Sequence, residues 1–219
     1  MAAHPSEFTP EHAGTITIRR AQARDVAAAV PLIYSSGPTA FDYVFAHDRA
    51  DRAKEFLAYA FTRGDGEFGH RNHLVVEQDG VVCGIGSGFD GRQTLAFTLA
   101  NARQILSFYG ALDAWSVMAR GLRCETVIRP PSAGQYYVCH LGVAPELRGQ
   151  GLGVRLVTHL LAEPARARSM EAALDVSVDN PRAQALYERL GFRVETTRVS
   201  KLRNSFGAVA DHRRMTCPL

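Results

Sequence analysis

Apolar and polar positions change period several times along this chain, and the changes mark its elements. Thr15 to Arg20 alternates like a half-buried strand. Asp25 to Tyr34 is Ala-rich and reads as a helix. Residues 35–45, SSGPTAFDYVF, read as a loop: turn residues Ser36, Gly37 and Pro38 are followed by aromatics. Asp48 to Thr62 returns to helical spacing, with Ala53, Phe56, Leu57, Ala60 and Phe61 on one face. Gly64 to Gly69 reads as a loop. His73 to Glu77 and Val81 to Gly88 then form a hairpin about Asp79-Gly80, a dipeptide suited to a two-residue turn. Residues 93–122 predict one or two helices.

A loop at Pro130 to Gly134 precedes a β-rich run, YYVCHLGV, from Tyr136 to Val143. After Pro145 come Arg148 and three glycines, Gly149, Gly151 and Gly153, and a helical stripe of Leu152, Leu156, Val157, Leu160 and Leu161. Ala173 to Val178 alternates again as a strand. Asn180 is a good N-cap, Pro181 suits the first helical position, and Gly191 suits the C-terminal cap of the helix between them. Arg193 to Lys201 and Arg213 to Cys217 read as closing strands. The order predicts one α/β domain over residues 15–219, a mixed twisted sheet flanked by helices. Residues 1–14 read as a flexible arm.

Composition narrows the classes. At 219 residues the chain suffices for one well-buried core, and 46% hydrophobic with 21% charged residues is ordinary for a globular protein. A net charge of +3 suits an anionic ligand, but no Lys/Arg block is dense enough to argue for nucleic acid. The pairs Arg166/Arg168 and Arg213/Arg214 read as solvated faces. Cys83, Cys124, Cys139 and Cys217 have no metal-ligand spacing, so no metal is expected, and a reduced, cytoplasmic setting fits them. No apolar run is long enough to span a membrane.

The chemistry begins at Arg148 to Gly153. A strand feeding a glycine-rich turn that opens a helix leaves backbone N–H groups at the positive helix end, where a phosphate can approach without meeting a Cβ. A Walker loop needs Gly-Lys-Ser/Thr, yet Val154 and Arg155 follow Gly153. The Gly-x-Gly-x-x-Gly dinucleotide spacing is absent as well. The pattern Arg-x-x-Gly-x-Gly, filled by Arg148, Gly151 and Gly153, resembles the pyrophosphate motif of the GCN5-related N-acetyltransferases. Asn-x-x-x-Ala-x-x-Leu-Tyr-x-x-x-Gly-Phe, from Asn180 to Phe192, resembles the last helix of the same family. The two motifs stand in the family's order. The close match covers residues 134–195. The helical segment at about 93–124 departs from the family's short turn and reads as an insertion.

The resemblance implies acetyl-coenzyme A as cofactor and an amine as acceptor, joined by direct attack in a ternary complex. It places the coenzyme on Arg148, Gly149, Gly151, Leu152 and Gly153, and pantetheine along Leu141, Gly142 and Val143, where the family's central strand splays from its neighbour. Gly142 either eases that splay or packs closely. Asn180 either binds coenzyme or serves as N-cap. Tyr187 aligns with the tyrosine that protonates the leaving thiolate, though its spacing with Ala183, Leu186 and Leu190 also suits a core residue. The family's usual base position falls on Gln135, an amide, and two others fall on Tyr137 and Cys139. Alternation sends the neighbouring His140 to the opposite face. A water relay ending at backbone or Tyr137 is the favoured base, with Glu125 a remoter choice. Phe41, Asp42, Tyr43 and Tyr137 are the candidate acceptor contacts, while Phe108, Tyr109 and Trp115 are expected to pack the insertion. A small-molecule amine is favoured over protein, and a homodimer is compatible. The rival reading is a non-catalytic acyl-coenzyme A sensor of the same fold.

Overall fold

The computed structural model describes residues 15–49, 51–163 and 169–219. The predicted N-terminal arm and the Arg166/Arg168 pair lie outside the described residues. Among the described residues seven strands form one sheet: β1 (Ile16–Arg20), β2 (His73–Gln78), β3 (Val81–Asp90), β4 (Gln135–Val143), β5 (Glu171–Ser177), β6 (Arg193–Arg198) and β7 (His212–Pro218). Their order is β1-β2-β3-β4-β5-β7-β6. The pairs are antiparallel except β4 with β5. The β2–β3 turn sits at Asp79 and Gly80, both at positive φ (52° and 80°), as a type I′ turn requires.

Helices cover both faces. On one lie α1 (Val26–Ser35), α2 (Pro38–Phe45), α3 (Arg52–Arg63) and α4 (Thr94–Cys124). Phe56, Leu57, Ala60 and Phe61 of α3 are fully buried there beside Ile33 and Ile85, each large side chain contributing about 1.5–3 kcal/mol. On the other face α5 (Leu152–Leu161) and α6 (Pro181–Arg189) bury Leu152, Leu156, Leu160 and Tyr187 against Tyr136, Val138 and Leu174.

Three expectations are corrected. Residues 38–45 form a helix rather than a loop, because Pro38 after Gly37 occupies the first helical turn instead of a β-turn. Arg214 belongs to no solvated face: it is buried and donates from Nε (3.1 Å) and Nη2 (2.7 Å) to the buried carboxylate of Asp175. The inserted segment is a pair of helices broken at Gly110, whose φ of 78° and ψ of 167° interrupt α4. Before the break, Phe108 and Tyr109 pack on Phe56, and the Tyr109 hydroxyl donates to the Phe45 carbonyl at 2.6 Å. Beyond it Trp115 is 75% exposed, so it does not pack the insertion as expected.

Candidate active site

β4 and β5 pair only over Gln135–Tyr137 against Glu171–Ala173. Beyond Tyr137 the two strands run on without pairing, β4 to Val143 and β5 to Ser177. The sheet therefore opens into a wedge along Val138–Val143. The backbone at Gly142 meets α1 closely: a Cβ there would stand 2.3 Å from the Leu32 carbonyl oxygen. Of the two roles open to this glycine, close packing is the one the geometry requires.

The glycine turn lies at the wedge's outer end. Gly149 (φ 83°) and Gly151 (φ 81°) adopt the left-handed conformation, and a Cβ at either would meet nothing within 4 Å among the described residues. The conformation demands glycine while the space stays open. Arg155 N–H donates to the Gly151 carbonyl, so Gly151 caps α5 and the N–H groups of residues 152–154 begin the helix without intrahelical acceptors. Such an N-terminus can accept an anion. Arg148 anchors to β4 through Nε to the Val143 carbonyl at 3.0 Å. The side chain of Leu152 is buried, so only its backbone faces the turn. Gly153 is a packing glycine, since a Cβ would lie 3.1 Å from Leu186. The Asn180 side chain accepts from Ala183 N–H at 3.1 Å, which realises the N-cap.

Tyr187 of α6 is buried in the far-face core, its ring edge-on to that of Phe192 at 6.1 Å. Burial holds the Tyr187 phenol above its ordinary pKa, so it stays protonated at neutral pH. Burial likewise holds the Cys139 thiol well above its usual range.

A bulge then changes the near face. Ile85 pairs with Gly142 and Ser87 with Cys139, so two residues of β4, His140 and Leu141, oppose Gly86. His140 takes φ 55°. The expected alternation fails here: Cys139 and His140 both face α1–α4, and His140 stacks on Phe68 with centroids 5.2 Å apart. Facing them is Glu67, from the loop between α3 and β2. One ligand-type atom from each of Glu67, Cys139 and His140 lies within 4.8 Å of the other two. Burial pushes Glu67 up to about 7, and Glu125 at the end of α4 adds to the rise. Nothing in the local sequence marks Glu67. Its place follows from the β2–β3–β4 register and from Asn101 of α4, which accepts from the Glu67 N–H at 3.3 Å.

The acceptor-side residues divide. The Phe41 ring lies 6.0 Å from that of His140 and walls this corner. One Asp42 oxygen accepts from the Tyr34 hydroxyl at 2.7 Å, while Oδ1 is buried with no partner among the described residues. Tyr43 is instead buried in the core. The Tyr137 hydroxyl is engaged, donating to Asp175 at 2.8 Å, and so offers the acceptor no free group. Gln135 is tied to Glu171 and to the Ser132 N–H.

A wedge between two strands of a mixed sheet ends at a helix N-terminus whose first N–H groups have no intrahelical acceptor. The sequence pattern of the acetyltransferase (GNAT) family matches residues 39–192, more than half of the chain, and the chain belongs to that family. It is 38% identical over 76 residues to a 5-NmdU N-acetyltransferase of Pseudomonas phage PaMx11, covering 34% of this chain and 50% of the relative. It is also 38% identical over 69 residues to N-alpha-acetyltransferase 30 of Schizosaccharomyces pombe, covering 32% and 46%. The chain thus spans about half the length of the curated relatives it matches. Similar folds include an N-acetyltransferase from Staphylococcus aureus Mu50, with TM-score 0.66, 16% identity and coverage of 91% of this chain and 99% of that one. Another is yncA from Salmonella typhimurium, solved with its cofactor acetyl-CoA, with TM-score 0.55, 21% identity and coverage of 94% of each chain.

Proposed function

We propose that this protein transfers an acetyl group from acetyl-coenzyme A to an amine by direct attack in a ternary complex. The observation that carries the reading is the wedge beyond Tyr137, with the Gly149–Gly153 turn at its outer end and Tyr187 buried on the α6 side of the sheet. Open space over two left-handed glycines fits a pyrophosphate, and the N–H groups of residues 152–154 would hold it. The coenzyme supplies an activated acetyl thioester and a thiolate leaving group. The amine nitrogen forms the new C–N bond as the C–S bond breaks, and the electron pair leaves on sulfur. Tyr187, kept protonated by burial, is suited to return a proton to that sulfur. A covalent relay through Cys139 is disfavoured, because burial keeps its thiol protonated and weakly nucleophilic.

The acceptor is proposed to be a small-molecule amine. The inserted α4 packs against the loop that carries Glu67, which limits the room for a large acceptor. The two curated relatives are named for unlike acceptors, so the choice rests on this narrowing. The experiment is coenzyme A release from acetyl-coenzyme A across a panel of small amines and amino-terminal peptides, with Tyr187→Phe beside the wild type. Amine-dependent release that drops about 10²-fold or more in Tyr187→Phe, with coenzyme binding retained, supports the reading. Tight coenzyme binding without release for any acceptor would favour the non-catalytic sensor instead.

A further inference from the structure

This reading leaves the proton of the acceptor ammonium without a destination. Gln135 is an amide already bonded on both sides, and Tyr137 is spent on Asp175. The hydrogen bonds behind His140 supply an answer. His73 Nδ1 lies 2.9 Å from the Gly69 carbonyl, which can only accept, so His73 carries its proton on Nδ1. Burial pushes His73 down to about 4, so it is neutral and its Nε2 is a bare lone pair. That Nε2 lies 3.1 Å from His140 Nδ1, which must therefore be the donor. His140, also held neutral by burial, is left with a bare lone pair on its own Nε2.

That second lone pair stands 3.7 Å from Glu67 Oε1, beyond hydrogen-bond distance. Two acceptors thus face each other whenever Glu67 is ionised, and a group with two N–H donors satisfies both. A protonated amine is such a group. Glu67 is held from behind by Asn101, whose side-chain amide lies 3.4 Å from its Oε2. Asn101 belongs to the inserted helix, so the insertion positions the carboxylate.

We propose that Glu67 and His140 bind the acceptor's ammonium group, that Glu67 takes its proton, and that His73 is a positioning residue keeping His140 Nε2 open. The proposal rests on the acetyl-transfer reading above. The balance closes. The ammonium gives one proton to the Glu67 carboxylate and attacks as a neutral amine. The second surplus proton leaves the nitrogen as the amide forms. One proton ends on the coenzyme sulfur and the other reaches solvent. The groups facing Glu67 are Cys139 and His140 from β4, with His73 behind, and Cys124 and Glu125 from the end of α4. None is cationic at neutral pH, so the corner is electronegative and suits an ammonium.

The test uses the full chain with three probe amines, benzylamine, 1,4-diaminobutane and an alanine-led peptide, carrying the fastest forward. Acetyl-coenzyme A binding is titrated in parallel. In the wild type, kcat/KM is expected to rise with pH through about 7, following Glu67. Glu67→Gln should bind acetyl-coenzyme A as the wild type does, lose about 10²-fold or more in kcat, and lose that rising limb. His140→Gln should raise KM for the amine more than it lowers kcat. Nitrogen-15 NMR of the histidine rings, which needs no acceptor, should find both His73 and His140 neutral with the proton on Nδ1 at pH 7. A proton on His140 Nε2 would overturn the proposal. So would full activity with an unchanged pH profile in Glu67→Gln, or stoichiometric zinc held by the wild type and lost in His140→Gln. A wild type that binds no acetyl-coenzyme A would sink the coenzyme reading instead, leaving the ring protons to decide this one.

Discussion

Gly142→Ala should cost stability through a contact the structure defines. The added Cβ would lie 2.3 Å from the Leu32 oxygen, 2.8 Å from its carbonyl carbon and 3.2 Å from its Cα. Ordinary van der Waals contact begins at 3.4 Å, so the closest of these is more than 1 Å too short. All three atoms are backbone of α1, and no side chain can rotate out of the way. α1 must retreat from β4, or β4 must bow into the wedge. Overpacking of this kind costs about 1–3 kcal/mol, and the rigid partner puts this case at the upper end. For a chain of this size each kcal/mol lowers Tm by about 2–4 °C, so a loss of roughly 6–12 °C is expected. The control is Gly134→Ala, where a Cβ would meet nothing within 4 Å and φ is not in the left-handed range. It should be neutral, or stabilising by up to about 1 kcal/mol. Thermal unfolding followed by circular dichroism, checked by urea titration, reads both. If Gly142→Ala melts with the wild type, the close approach of α1 to β4 is wrong, and with it the account of how the wedge is held.

Asp175→Asn should destabilise by about 3–5 kcal/mol, measured in urea, because it leaves the buried guanidinium of Arg214 without its counter-charge and weakens the bond to Tyr137; a change below about 1 kcal/mol would contradict a dry pair. Stability should also fall with acidification. Folding depresses the pKa of His73 to about 4 and lowers His140, so the unfolded chain binds more protons, and their contribution, present above about 6.5, is lost as pH falls toward 4. Glu67, raised to about 7, acts oppositely: its contribution is present below its unfolded value and lost as pH rises through 7. Urea midpoints against pH should therefore drop more steeply below pH 6.5 in Glu67→Gln than in the wild type, and a shallower drop would refute the assignment.

The glycine turn and the caps of α6 were legible because their physics is local. Asn180 and Gly191 take the expected cap positions, and Gly149 and Gly151 take the left-handed conformation that glycine adopts freely. The hairpin at Asp79-Gly80 was legible for the same reason. The Glu67–His140 corner was not. The bulge at His140 leaves no mark in YYVCHLG, yet it turns every later side chain of β4 to the other face. Glu67 sits in a glycine-bracketed polar loop that reads as an ordinary connection. Its neighbours His140 and Asn101 are brought to it by strand register and by the inserted helix, and sequence spacing reports neither. Arg214 misled for a related reason, since its partner Asp175 lies on another strand.

The central claim is the acetyl-coenzyme A site in the wedge, and a thermal-shift titration tests it most directly. Acetyl-coenzyme A, NAD and ATP would be titrated separately into the wild type and Gly151→Asp, which sets a carboxylate over the proposed phosphate site. At about 100 times its Kd a ligand stabilises by about 2.7 kcal/mol, a rise of roughly 5–11 °C here. The account predicts that rise with acetyl-coenzyme A alone and its loss in Gly151→Asp. No rise with acetyl-coenzyme A, or an equal rise in the variant, would contradict it.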